Sequence, residues 1–190
     1  MPACATFVLF SMLVSTSLYA APPDRVLTPA RESALDTRVR PADDRSATVL
    51  RRGLLGSQTL RALVERVENS DVVVYIEMRP GMPPDQAGGV AFVSAAGRFR
   101  YLRIRLNPAL SGQELAATLG HELRHVVEIV DDPDVRDERS MSAMYARIGT
   151  PSRILRGLGW ETIEAQIAGT QVRRELATPS TAAADGQGQV

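Results

Sequence analysis

The chain has 190 residues, 44% hydrophobic and 23% charged, the balance of a soluble globular protein with room for one compact domain. Its 22 basic residues, every one an Arg, match its 22 acidic residues; the formal charge is zero, and nothing points to nucleic acid or an acidic membrane surface as a partner. The single cysteine, Cys4, sits in the apolar start of the chain, which excludes disulfides and zinc–thiolate ligation from the remainder.

Residues 1–21 carry no charge and pass from an apolar stretch, Ala5 to Leu13, through small and polar residues to Ala20 and Ala21. That pattern predicts a secretory signal peptide cut near Ala20, although no Lys or Arg precedes the apolar run. The expected product is periplasmic or secreted, with no stable membrane association after cleavage. Residues 22–50 are rich in Pro, Arg, Asp, Ser and Thr without apolar periodicity and read as a flexible linker. Residues 177–190 are rich in Ala, Thr, Gly and Gln and read as a disordered tail. The folded domain is expected over residues 51–176.

Within it, Ser57 is placed to cap a helix whose apolar stripe is Leu60, Leu63, Val64 and Val67. Val72 to Ile76 is a β-branched run and reads as a buried strand. Pro80, Pro83 and Pro84 interrupt the chain. Val90 to Ser94 and Arg98 to Leu106 read as two more strands, joined by a turn at Ala95-Ala96-Gly97. Leu102 to Leu106 alternates apolar and Arg, so one face is expected to be buried and the other wet. After Pro108, Ser111 and Glu114 fit a capping box for a helix that runs to about Val130 and stops at Asp131-Asp132-Pro133. A second helix carries Met141, Met144, Tyr145 and Ile148 on one stripe, and a third runs from near Trp160 to about Leu176. Helix, three strands, then three helices favours an α+β fold.

The two histidines, His121 and His125, are four residues apart with Glu122 after the first. Chance places two histidines at that spacing roughly once in 100, and with the Glu about once in 1000. On a helix the two imidazoles lie within about 40° of each other. Leu115, Leu119, Leu123, Val126 and Val130 gather on another side, leaving the histidine face free to line a cleft. Two imidazoles one turn apart can each give a nitrogen to one Zn²⁺, and a third protein ligand leaves a position for water. Glu122 is then placed as general base for that water.

With no third His, the remaining ligand must be a carboxylate or come from another chain. Glu161 falls on a helical face with Ala165, Ala168, Val172 and Leu176, where a buried acid needs a partner. Glu128 lies within about 20° of His121 on the helical wheel and is a candidate ligand, ligand partner or solvated side chain. Glu164 is a further candidate, behind these two. Tyr145 is a candidate donor to an oxyanion, against the alternative of a core residue. Asp131 and Asp132 are candidates for orienting a ligand His, and Arg103 and Arg105 for holding a substrate carboxylate; helix termination and an exposed strand face are the simpler accounts. The methionines read as packing.

The metzincin pattern is excluded, because Glu128 and Asp131 stand where it needs Gly and His. The HExxH run instead resembles zinc metallopeptidases of the gluzincin type, and most of all small exported bacterial proteins with a HELxHxxE core and no assigned substrate. The resemblance covers about residues 57–176. It includes Val72–Ile76, the hairpin Phe92-Val93-Ser94-Ala95-Ala96-Gly97, Tyr101-Leu102-Arg103, Trp160-Glu161-Thr162 and Val172-Arg173-Arg174-Glu175-Leu176. It implies a minimal zincin-like domain with a short sheet over the motif helix, and it again selects Glu161, from the aromatic-Glu-Thr sequence, as third ligand. The expected activity is zinc-dependent hydrolysis of a peptide or protein substrate, held along an exposed strand edge. The alternative is an exported zinc-binding protein without turnover, since the domain is short for a free-standing protease.

Overall fold

A computed structural model describes residues 37–152 and 159–178. The expected signal peptide, residues 22–36 of the expected linker and residues 179–190 of the expected tail lie outside the described residues. The elements in chain order are β1 (Val39–Pro41), α1 (Asp44–Gly56), α2 (Gln58–Glu68), β2 (Val72–Met78), β3 (Gly88–Ala96), β4 (Phe99–Leu106), α3 (Gly112–Asp131), α4 (Glu138–Ile148), β5 (Thr150–Pro151), β6 (Trp160–Glu161) and α5 (Ile163–Ala177). The fold class is α+β, as expected. Among the described residues no helix is long and apolar enough to cross a membrane.

Four strands form one sheet in the order β1-β2-β4-β3. β1 and β4 flank β2 in parallel, and β3 is antiparallel to β4 at the sheet edge. The central position of β2 explains its apolar run, since Val72, Val74 and Ile76 are all fully buried. β4 alternates as expected, with Leu102, Ile104 and Leu106 inward and Arg103 and Arg105 outward. The β3–β4 turn places Gly97 at φ 56°, a left-handed conformation that glycine adopts without cost. The inward residues of β2 and β4 form one core with Leu115, Leu119, Leu123 and Val126 of α3. That core fixes the rotation of α3 about its own axis, and hence the direction of its histidine face.

Three expectations are corrected. The linker does not extend to residue 50: β1 and α1 belong to the domain. The Glu68 carboxylate accepts from the backbone N–H groups of Arg38 and Val39, and Asp43 caps α1 in a reciprocal pair with Ser46. The capping box at α3 is half formed. Ser111 accepts from the Glu114 N–H, but the Glu114 carboxylate turns to the Arg173 guanidinium at 2.9 and 2.7 Å. The last helix starts at Ile163, not near Trp160, because Trp160 and Glu161 pair with Pro151 and Thr150 in a two-stranded ladder.

α3 and α5 pack closely through glycine. A Cβ built on Gly120 would come within 2.6 Å of Val172 Cγ2 and 3.2 Å of its Cβ, and Val172 is a stiff, fully buried side chain. Gly120→Ala is therefore expected to force the two helices apart and cost about 1–3 kcal/mol. Urea unfolding measures this; an unchanged midpoint would show that α5 yields freely.

Candidate metal centre

α3 brings His121 and His125 to one side, one turn apart, with ring centroids 4.9 Å from each other and planes at 78°. Facing them is Glu161, presented by β6. Its Oε2 lies 3.5 Å from His121 Nε2. One ligand atom from each of His121, His125 and Glu161 can be chosen so that all lie within 4.8 Å of one another. Tetrahedral zinc with bonds of 2.0–2.1 Å needs ligand atoms about 3.3 Å apart, so the trio closes on an ion with shifts of about an ångström. Two imidazoles and one carboxylate are also a donor set that suits Zn²⁺. These residues fit the metal that the motif implies.

Glu161 thus meets the histidines as expected, but from a strand. The sequence reading placed it on a helical face; its position is set instead by the β5–β6 ladder and by Thr162, which caps α5. The ladder sits against the end of α4, where a Cβ on Gly149 would meet the Glu161 carbonyl at 2.9 Å.

Glu122 is buried, and burial pushes its carboxyl above the ordinary range, against the pull of His121 and His125. It lies under the start of β3, since a Cβ on Gly88 would come 2.8 Å from its Oε1. Burial alone would lower the His121 imidazole; the hydrogen bond to Glu161 and the charges of Glu122, Glu161 and Glu128 outweigh it and hold it above its usual value. Burial would likewise raise Glu161, but its hydrogen bond to His121 and the nearby imidazoles keep it low. The carboxylates draw positive charge to this point, and a divalent cation would compete with the proton on His121.

His121, Glu122 and Glu161 line a cleft of about 1060 Å³. Its walls come from the segment before β3, from Thr118 on α3, from β5, and from Gln166, Thr170 and Arg173 on α5.

The other candidates sort by their contacts. Glu128 contacts a member of the trio instead of joining it: its Oε2 lies 2.8 Å from His125 Nδ1, and its Oε1 accepts from the Thr162 hydroxyl at 2.7 Å. Glu164 is exposed in the first turn of α5. Tyr145 does not donate into the cleft. Its buried hydroxyl donates to the His125 carbonyl at 2.9 Å, and its ring stands edge-on to His125 at 5.4 Å, behind the ligand face. Asp131 and Asp132 pair with Arg66 and Arg147 instead of with a histidine. Arg103 and Arg105 stand beside Glu77 on the outer face of the sheet. Met144 is packed in the core. Thr162 is named in the sequence only as part of the aromatic-Glu-Thr run; its bond to Glu128 is not foreseen there, although an N-cap residue directly after Glu161 was a signal.

No family model, no curated protein and no solved structure matches the chain.

Proposed function

We propose that the protein is a zinc-dependent hydrolase, a metallopeptidase of the gluzincin type that cleaves peptide or protein substrates outside the cytoplasm. One observation carries the reading: ligand atoms of His121, His125 and Glu161 lie within 4.8 Å of one another, and the buried Glu122 lines a cleft with His121 and Glu161. The export component rests on the uncharged apolar residues 1–21.

Zinc, when bound, supplies Lewis acidity to the substrate carbonyl and to the attacking water. The chain supplies the rest. His121, His125 and Glu161 would hold the ion. Glu122 takes a proton from the water as it adds to the carbonyl, and returns it to the leaving amine. The outer edge of β3, unpaired among the described residues and beginning at Gly88 over Glu122, offers backbone groups to an extended peptide and would lay it across that carboxyl.

The second reading, an exported zinc-binding protein without turnover, is favoured by one contact. The Tyr145 hydroxyl is committed to the His125 carbonyl and stands outside the cleft, so it gives no help to an oxyanion.

The purified mature protein is expected to carry one zinc per chain by elemental analysis and to cut a peptide library in a chelator-sensitive way. His121→Ala and His125→Ala should each lose stoichiometric zinc. Full occupancy in both variants would remove the metal assignment; zinc without cleavage would favour the second reading.

A further inference from the structure

We propose that Glu128 and Thr162 are positioning residues that join the two ligand-bearing elements, α3 and β6, into one rigid frame. The inference rests on the zinc reading above. Glu128 is buried, with a side chain only 5% exposed, and such a carboxylate must find donors. It finds one on each wall of the site. His125 Nδ1 is 2.8 Å from one oxygen, and the Thr162 hydroxyl is 2.7 Å from the other. Arg124 Nε stands 3.6 Å from that second oxygen and adds a cation beside it.

Each contact has a consequence for a different ligand. A carboxylate on Nδ1 keeps the proton there and leaves the lone pair of His125 on Nε2, free to face a metal. Thr162 follows Glu161 directly, so a bond that fixes Thr162 also fixes where β6 presents the ligand carboxylate. The hydroxyl has no freedom left: it gives its only proton to Glu128 and accepts the Ala165 N–H at 3.2 Å as the N-cap of α5. One buried carboxylate therefore sets the tautomer of His125 and the placement of Glu161 together. It belongs to the motif helix itself, three residues beyond His125.

Substitution separates this role from simple packing. In Glu128→Gln the amide offers one oxygen and one NH₂ to two donors, so either His125 or Thr162 loses its acceptor. Thr162→Val keeps the shape of the side chain but cannot donate, whereas Thr162→Ser keeps the hydroxyl. The experiment measures zinc affinity by competition with a chelator, beside urea unfolding of the zinc-free protein. Glu128→Gln and Thr162→Val are expected to bind zinc about 10–100-fold more weakly while still folded, and Thr162→Ser to stay close to the unsubstituted protein. The Thr162 pair carries the test alone if Glu128→Gln does not fold. Zinc bound as tightly by either weakened variant as by the unsubstituted protein overturns the frame, as does a Thr162→Ser defect equal to that of Thr162→Val. Failure of the unsubstituted protein to bind one zinc overturns the metal reading itself, and this inference with it.

Discussion

Glu122→Gln is expected to leave one zinc per chain and to slow peptide cleavage by about 10²–10⁴-fold, the range for removing a general base. The amide is nearly isosteric, and Glu122 is not one of the three residues that would hold the ion, so the proposed donor set is untouched. It cannot accept the proton of the attacking water. Stability gives a useful control. Burial holds the Glu122 carboxyl above its ordinary value, which means that its charged form is disfavoured in the fold at neutral pH. A neutral side chain removes that cost, so the zinc-free variant should unfold at the same urea concentration as the zinc-free parent or a higher one. Cleavage assays and zinc analysis on one preparation, with urea unfolding of its zinc-free form, decide the matter. A variant that cuts at the parental rate would take Glu122 out of the mechanism.

What the sequence could reveal depended on where each interaction lies along the chain. The motif helix was legible because its information is local: two histidines one turn apart, an apolar stripe at helical period, Ser111 before it and Asp131-Asp132-Pro133 after it. β2 and β4 were legible for the same reason, one as a continuous β-branched run and the other as a strict alternation. α1 was not, because it buries Ser46, Val49 and Gly53, a face too small to stand out as a hydrophobic stripe. β1 is three residues long and owes its order to β2 and to the Glu68 carboxylate, both distant in sequence. The identity of Glu161 as the third member was legible from its neighbours, but its strand was not: two residues carry no period, and the ladder depends on Thr150 and Pro151. Glu128 illustrates a different limit. The helical wheel puts it near His121, yet its carboxylate reaches His125, because side chains three apart meet on a helix whatever the mean direction of their faces.

Arg100 follows the β4 alternation inward, and its partners lie far along the chain. Replacing it with Met is expected to destabilise the protein by about 1–3 kcal/mol, since it removes several charged hydrogen bonds while Asp71, 36% exposed, keeps contact with water. Its side chain is 1% exposed and faces the core side of the sheet, opposite Val72. The guanidinium donates to both oxygens of Asp71, at 2.9 and 2.7 Å. It also donates to the carbonyls of Ile129 at 2.6 Å and Asp132 at 2.8 Å, which close the C-terminal end of α3. Met fills much of the volume but removes the short charged bonds to those carbonyls, which keep only the backbone N–H groups of Asp132 and Val135, each at 3.3 Å. The guanidinium thus ties the C-terminal end of α3 to the sheet, beside the core that orients its histidine face. The pH dependence separates its two contributions. Burial would raise the Asp71 carboxyl, but the hydrogen bonds and charge of Arg100 overcome that and hold it below its ordinary 3.8. A depressed acid contributes stability that is complete above its unfolded value and is lost as pH falls through the lower folded one. The gap between the parent and Arg100→Met should therefore be widest at neutral pH and narrow below about pH 4. It should not vanish, because the α3 carbonyls do not titrate. Asp71→Asn should lose only the acid-sensitive part. Urea unfolding at pH 7 and pH 3 distinguishes these outcomes, and an Arg100→Met midpoint equal to the parent's at pH 7 would show that water replaces the guanidinium at no cost.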